Sequence, residues 1–105
     1  MRYAAYLRTS TDALALDRQR QAVVAWIAAR KGQLVQVYVD AGPSGQRAAR
    51  PALQRLLQDA GQGAFDALVV HRRDRLGRHQ ADVQAIQAQL GVIAICVVSD
   101  QEGYA

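Results

Sequence analysis

The chain has 105 residues, 50% of them hydrophobic and 21% charged, which suits one domain with a sizeable core and excludes intrinsic disorder. No apolar run approaches the roughly 18 residues of a membrane-spanning helix, the N-terminus lacks a secretory apolar segment, and the one cysteine, Cys96, excludes an intramolecular disulfide framework and a cysteine-based zinc site, so a reducing cytoplasm is the expected setting. The net charge of +4 is unevenly distributed: residues 1–78 hold all 13 cations and six of the nine acids, and every cation except Lys31 is an arginine.

In chain order, Tyr3–Leu7 reads as a first strand, and Thr9-Ser10-Thr11-Asp12 supplies loop and helix N-cap chemistry. A helix is predicted from about Ala13 to Lys31, with Gly32 as its C-cap. Its apolar face carries Leu16, Val23, Trp26 and Ile27, interrupted by Gln19. Leu34–Val39 alternates as a second strand, and Asp40–Arg50, with Gly42-Pro43-Ser44-Gly45, reads as a loop. Pro51 opens a second helix at its first position, and Leu53, Leu56, Leu57 and Ala60 keep helical spacing. Gly61 and Gly63 end it. Ala67–Val70 is a short third strand, 71–78 a basic loop, and Gln80–Leu90 a third helix turning Val83, Ile86 and Leu90 inward. Val92–Val98 is an apolar run suited to a fully buried strand, and Ser99–Ala105 a short polar tail. The order βαβαβαβ predicts a three-layer α/β domain with a mainly parallel sheet of about four strands, spanning residues 1–105 as one unit.

In such a sheet every strand ends at the same edge, where ligands bind. Three loops leave that edge. The first brings Arg8 and Ser10, the second Asp40, Arg47 and Arg50, and the third His71, Arg72, Arg73, Asp74, Arg75 and Arg78; Gln19 projects near the same end. An arginine-rich site with one serine nucleophile suits transfer of a phosphodiester, because fixed guanidinium groups stabilise charge building on non-bridging oxygens. No Walker loop or G-x-G-x-x-G is present, nor a carboxylate or His/Cys cluster of the kind a two-metal nuclease needs.

Tyr6-Leu7-Arg8-Thr9-Ser10-Thr11 with Leu16-Asp17-Arg18-Gln19 resembles the opening of the serine recombinase (resolvase/invertase) catalytic domain. Asp74-Arg75-Leu76-Gly77-Arg78 resembles that family's second signature, and Asp40–Gly45 and Arg50-Pro51-Ala52-Leu53 its intervening loop and helix. The resemblance covers about residues 3–100. It implies that Ser10 attacks a DNA phosphodiester to give a 5′-phosphoserine link and a 3′-hydroxyl, with no metal or cofactor. Arg8, Arg50, Arg75 and Arg78 match the phosphate-binding arginines, Asp74 an orienting or proton-transfer group, and Gln19 and Asp40 supporting positions. Arg47, Arg72 and Arg73 are expected to contact DNA phosphates. Leu14 departs from the polar residue common at its place, and Thr9 stands where Val is common.

The resemblance also implies a homodimer and a synaptic homotetramer, and a bacterial or mobile-element origin. Complete relatives continue into a dimerisation helix and a separate DNA-binding domain; neither is expected in these 105 residues, which should bind DNA weakly and without sequence preference and should not recombine it on their own. Two other readings remain open at this point: a non-catalytic resolvase-like assembly or regulatory domain, and an unrelated α/β module for phosphate ligands. Residue by residue, Ser10 also suits a helix cap, the Asp74 cluster a surface ion-pair network, Gln19 a satisfied buried amide, and Cys96 a small core residue.

Overall fold

The computed structural model describes residues 1–9, 13–41, 50–77 and 80–101. In chain order the elements are β1 (Arg2–Thr9), α1 (Ala13–Ala29), β2 (Gln33–Ala41), α2 (Pro51–Gly61), β3 (Ala67–Val70), a 3₁₀ turn (Arg73–Arg75), α3 (Gln80–Leu90), β4 (Ala94–Val97) and the single turn α4 (Val98–Gln101). The four strands form one sheet in the order β2-β1-β3-β4, and every pairing is parallel. The expected α/β architecture is the one observed.

The period-two alternation of the central strands divides the core into two layers. Ala4 and Tyr6 of β1, with Leu68 and Val70 of β3, face α2 and α3 in a cluster that includes Leu53, Leu56, Ile86 and Leu90. Tyr3, Ala5 and Leu7, with Ala67 and Val69, face α1 through Val23, Trp26 and Ile27. Burying a side chain such as Leu56, which is fully enclosed, stabilises the fold by roughly 1.5–3 kcal/mol. On the α1 side, the Tyr3 and Trp26 rings meet edge to face with centroids 5.7 Å apart. The Arg30 guanidinium lies 3.6 Å from the Trp26 ring centroid, adding a cation–π contact.

Five expectations are corrected. The end of α1 is capped by Lys31 rather than Gly32. Lys31 takes the left-handed conformation (φ 56°), its N–H bonds the carbonyl of Ala28 at 3.0 Å, and the N–H of Gly32 bonds that of Ile27 at 3.0 Å. This is a Schellman ending with lysine in the usual glycine place. Gly32 is needed for space instead: a Cβ there would fall 2.2 Å from Cε2 of Tyr3.

The last strand is shorter and less buried than its apolar run suggests. It spans only Ala94–Val97, with Ala94 exposed and Ile95 and Cys96 half-buried, because β4 lies at the sheet margin and, among the described residues, has β3 as its one neighbour. Val92 is fully exposed, and Val98 leaves the strand to begin α4, buried against the α1 layer. Asp40 belongs to β2 rather than to the following loop, and Arg8 to β1. The basic loop is partly ordered as the 3₁₀ turn, pinned by Leu76, which is wholly buried in the α2–α3 layer.

Candidate active site

The carboxyl ends of β1, β2 and β3 bring the polar residues together. The β1–β3 ladder runs only from Tyr3 to Ala5, which leaves the end of β1 in need of other partners. Gln19 supplies them from the second turn of α1. Its Oε1 accepts from the Arg8 N–H at 3.3 Å, and its Nε2 donates to the Arg8 carbonyl at 3.0 Å. The amide is 2% exposed, so it acts as a one-residue strand that fixes where β1 ends.

Asp40 has an equally specific setting. It is the register partner of Arg8 across the β1–β2 ladder and is 1% exposed. Its Oδ1 accepts from the Ala52 N–H at 3.0 Å, while its Oδ2 accepts from the Leu53 N–H at 3.1 Å and the Tyr6 hydroxyl at 2.8 Å. The carboxylate thus caps the free N–H groups of α2 and meets the positive end of its dipole. The residue at the cap position, Arg50, makes no side-chain cap bond. Burial, and then the bond to Asp40, raises the Tyr6 hydroxyl pKa above its ordinary 10.0, and Arg50 and Arg8 partly oppose the rise.

Arg50 therefore enters the site on a helix held from below. Its backbone is left-handed (φ 32°, ψ 77°), a conformation costing a non-glycine residue on the order of 1–3 kcal/mol. Pro51 after it, the Gln54 N–H on its carbonyl at 3.2 Å and the Asp40 cap together impose it.

The 3₁₀ turn completes the arrangement. Its own bonds use the carbonyls of Arg72 and Arg73, which accept from the N–H groups of Arg75 and Leu76 at 3.1 and 3.0 Å. The next two carbonyls accept guanidinium donors from other segments: Arg8 Nη2 bonds the Asp74 oxygen, and Arg50 Nη1 bonds the Arg75 oxygen at 3.4 Å. Arg8, Arg50 and Arg75, which are far apart in sequence, thereby converge. Burial lowers the Arg8 pKa from its ordinary value, and the charges of Arg50 and Arg75 lower it further. The guanidinium stays charged, and the mutual repulsion is what an incoming anion would relieve. The Asp74 carboxylate is half exposed and lies 3.6 Å from Arg75 Nε and 3.9 Å from Arg72 Nε.

The structure brings together Arg8, Arg50, Asp74 and Arg75, with Gln19 and Asp40 beneath them and Arg72 and Arg73 alongside. Ser10, Arg47 and Arg78 lie outside the described residues; Ser10 follows Thr9, the last residue of β1. Among the described residues, no three His, Cys, Asp or Glu side chains gather as a metal-binding group, and no helix is long and apolar enough to cross a membrane. Tyr6 and the carbonyls of the turn are contributors that the motif reading missed. Tyr6 was detectable, since its polar tip two residues before Arg8 lies on the same face of the strand as Arg8. The carbonyls carry no side-chain signal.

Residues 3–104 match the family model described as Resolvase, N terminal domain. The chain belongs to the resolvase family. Solved resolvase relatives agree with the fold. The N-terminal catalytic domain of TP901-1 integrase is 30% identical with a TM-score of 0.80, over 95% of this chain and 78% of that one. A resolvase family site-specific recombinase from Streptococcus pneumoniae is 25% identical with a TM-score of 0.75, over 92% and 72%. The C-terminal catalytic domain of IS1535 TnpA, an IS607-like serine recombinase, is 31% identical with a TM-score of 0.71, over 91% and 70%. No curated protein matches the sequence. The chain is a resolvase-type catalytic domain of the serine recombinases, a DNA recombinase.

Proposed function

We propose that this domain cleaves and rejoins DNA through Ser10. The Ser10 Oγ attacks a backbone phosphorus and the bond from phosphorus to the 3′-oxygen breaks. A 5′-phosphoserine link forms, and the proton lost from Ser10 is balanced by one gained at the departing 3′-oxygen. A 3′-hydroxyl from the partner strand then attacks the link and restores Ser10. The number of phosphoester bonds is unchanged at each step, so no nucleotide is consumed.

The observation that carries this reading is the convergence of Arg8, Arg50 and Arg75 at the sheet edge one residue from the end of β1. In the proposal these three and Arg78 stabilise the negative charge on the non-bridging oxygens; losing one such donor typically slows a reaction on the order of 100–1000-fold. Asp74 orients Arg75 or carries a proton, while Gln19 and Asp40 hold Arg8 and the start of α2. Arg47, Arg72 and Arg73 bind neighbouring phosphates. DNA is the substrate, and the synaptic unit is a homotetramer assembled from homodimers.

A nicked duplex that loses a short strand after cleavage traps the covalent species. Within a complete recombinase the domain is expected to give a complex stable in denaturing gel electrophoresis, and Ser10→Ala to give none. An equal yield from Ser10→Ala would overturn the nucleophile assignment. Unchanged biological activity in that variant would favour a non-catalytic assembly domain instead.

A further inference from the structure

We infer that Gly77, through its contact with Asp82, sets the position of the two carbonyl oxygens that hold Arg8 and Arg50, and is a positioning residue for the arginine cluster. The inference rests on the proposed recombination only for what the cluster binds. Leu76, immediately after the turn, is fixed in the core, and Gly77 is buried against the first turn of α3. A Cβ on Gly77 would lie 2.7 Å from the Cβ of Asp82 and 3.6 Å from its Cγ. The nearer atom is attached to the helix backbone, so no side-chain rotation relieves the clash.

A side chain at residue 77 must therefore push the chain away from α3. The displaced segment begins two residues beyond the Arg75 carbonyl and three beyond that of Asp74. Hydrogen bonds weaken steeply with distance and misalignment. The Arg50 bond, already at 3.4 Å, is lost first and the Arg8 bond follows. Glycine at this place is required for close approach, and its consequence is felt at two guanidinium groups on other elements.

The test is nuclear magnetic resonance of arginine side chains in the DNA-free chain, with Arg2 as internal control. Arg2 bonds Asp66 and the carbonyls of Gly63 and Ala64 at the opposite end of β1. In Gly77→Ala the Arg50 guanidinium signals are expected to move toward freely rotating values and those of Arg8 to shift, while those of Arg2 stay. Adding Asp82→Gly, which removes the clashing atom, should restore them. Unchanged Arg8 and Arg50 signals in Gly77→Ala overturn the inference. If Gly77→Ala also loses the Arg2 signals, the double variant decides: return of all three sets supports the coupling, and return of Arg2 alone, or no refolding, overturns it. Because no DNA is present, failure here leaves the Ser10 assignment standing, and failure of that assignment leaves this result standing.

Discussion

Gln19 spends both ends of its side-chain amide on the backbone of one residue, Arg8, accepting at 3.3 Å and donating at 3.0 Å. A helix residue thereby completes a strand that its sheet neighbour leaves unfinished, and the strand's last arginine is aimed by that pairing. Gln19→Leu keeps the volume and leaves the Arg8 N–H and carbonyl without these bonds. The expected loss is about 2–4 kcal/mol, from two groups at roughly 1–3 kcal/mol each with partial relaxation, read from urea unfolding. A change below about 0.5 kcal/mol would show that the pairing contributes nothing to β1.

The Tyr6 hydroxyl, bonded to buried Asp40, titrates above its ordinary value of 10.0. Tyr38 does the same through burial and its 2.6 Å bond to Asp59. A group whose folded pKa is raised binds its proton more tightly in the native state, so its stabilisation is complete below pH 10 and is lost as pH rises through the folded value. Unfolding free energy is expected to decline above about pH 10, by up to about 1.4 kcal/mol per pH unit for each tyrosine. Tyr6→Phe should reduce that slope. An identical slope in the variant would contradict the coupling.

The ending of α1 separates two adjacent residues by sign. Lys31 carries the positive φ and Gly32 the close contact with Tyr3. Lys31→Gly is expected to stabilise by up to about 1 kcal/mol, relief of left-handed strain exceeding the added chain entropy. Gly32→Ala should destabilise by about 1–3 kcal/mol through overpacking and change the fluorescence of Trp26, whose ring meets Tyr3. Thermal unfolding and emission spectra check both. The opposite pair of signs would restore Gly32 as the cap.

These positions show how far the sequence could be read. The apolar runs 3–7 and 67–70 and the leucine spacing of α2 predicted the central strands and the helix, because burial on two faces leaves little choice of residue. The gathering of Arg8, Arg50 and Arg75 followed from strand direction alone. What escaped was set by tertiary contact. Lys31 takes the left-handed place of the Schellman ending, while the glycine beside it is needed for space against Tyr3. Val92–Val98 is apolar enough for a central strand, yet its place at the sheet margin depends on strand order, which composition does not encode. The acceptors for Arg8 and Arg50 are main-chain oxygens, common to every residue. Asp40 reads as a loop acid until the helix it caps is seen beside it.

Under the proposed function, DNA affinity should fall with salt, because phosphate neutralisation releases counterions. Arg72→Ala, beside the arginine cluster, is expected to reduce the log–log salt slope by about 0.9. Arg2→Ala, at the other end of β1 and paired with Asp66 at 3.1 Å, should leave the slope unchanged. Fluorescence anisotropy with a short duplex over a range of salt measures both. Equal effects from the two variants would remove the sheet edge as the DNA-facing surface.

The most direct measurement is peptide mapping by mass spectrometry of the protein after reaction with a suicide duplex. The peptide containing Ser10 is expected to carry a 5′-linked nucleotide phosphate, with a free 3′-hydroxyl on the released strand. A nucleotide on any other residue, or cleavage leaving a free 5′-phosphate with Ser10 unmodified throughout, would contradict the Ser10 assignment.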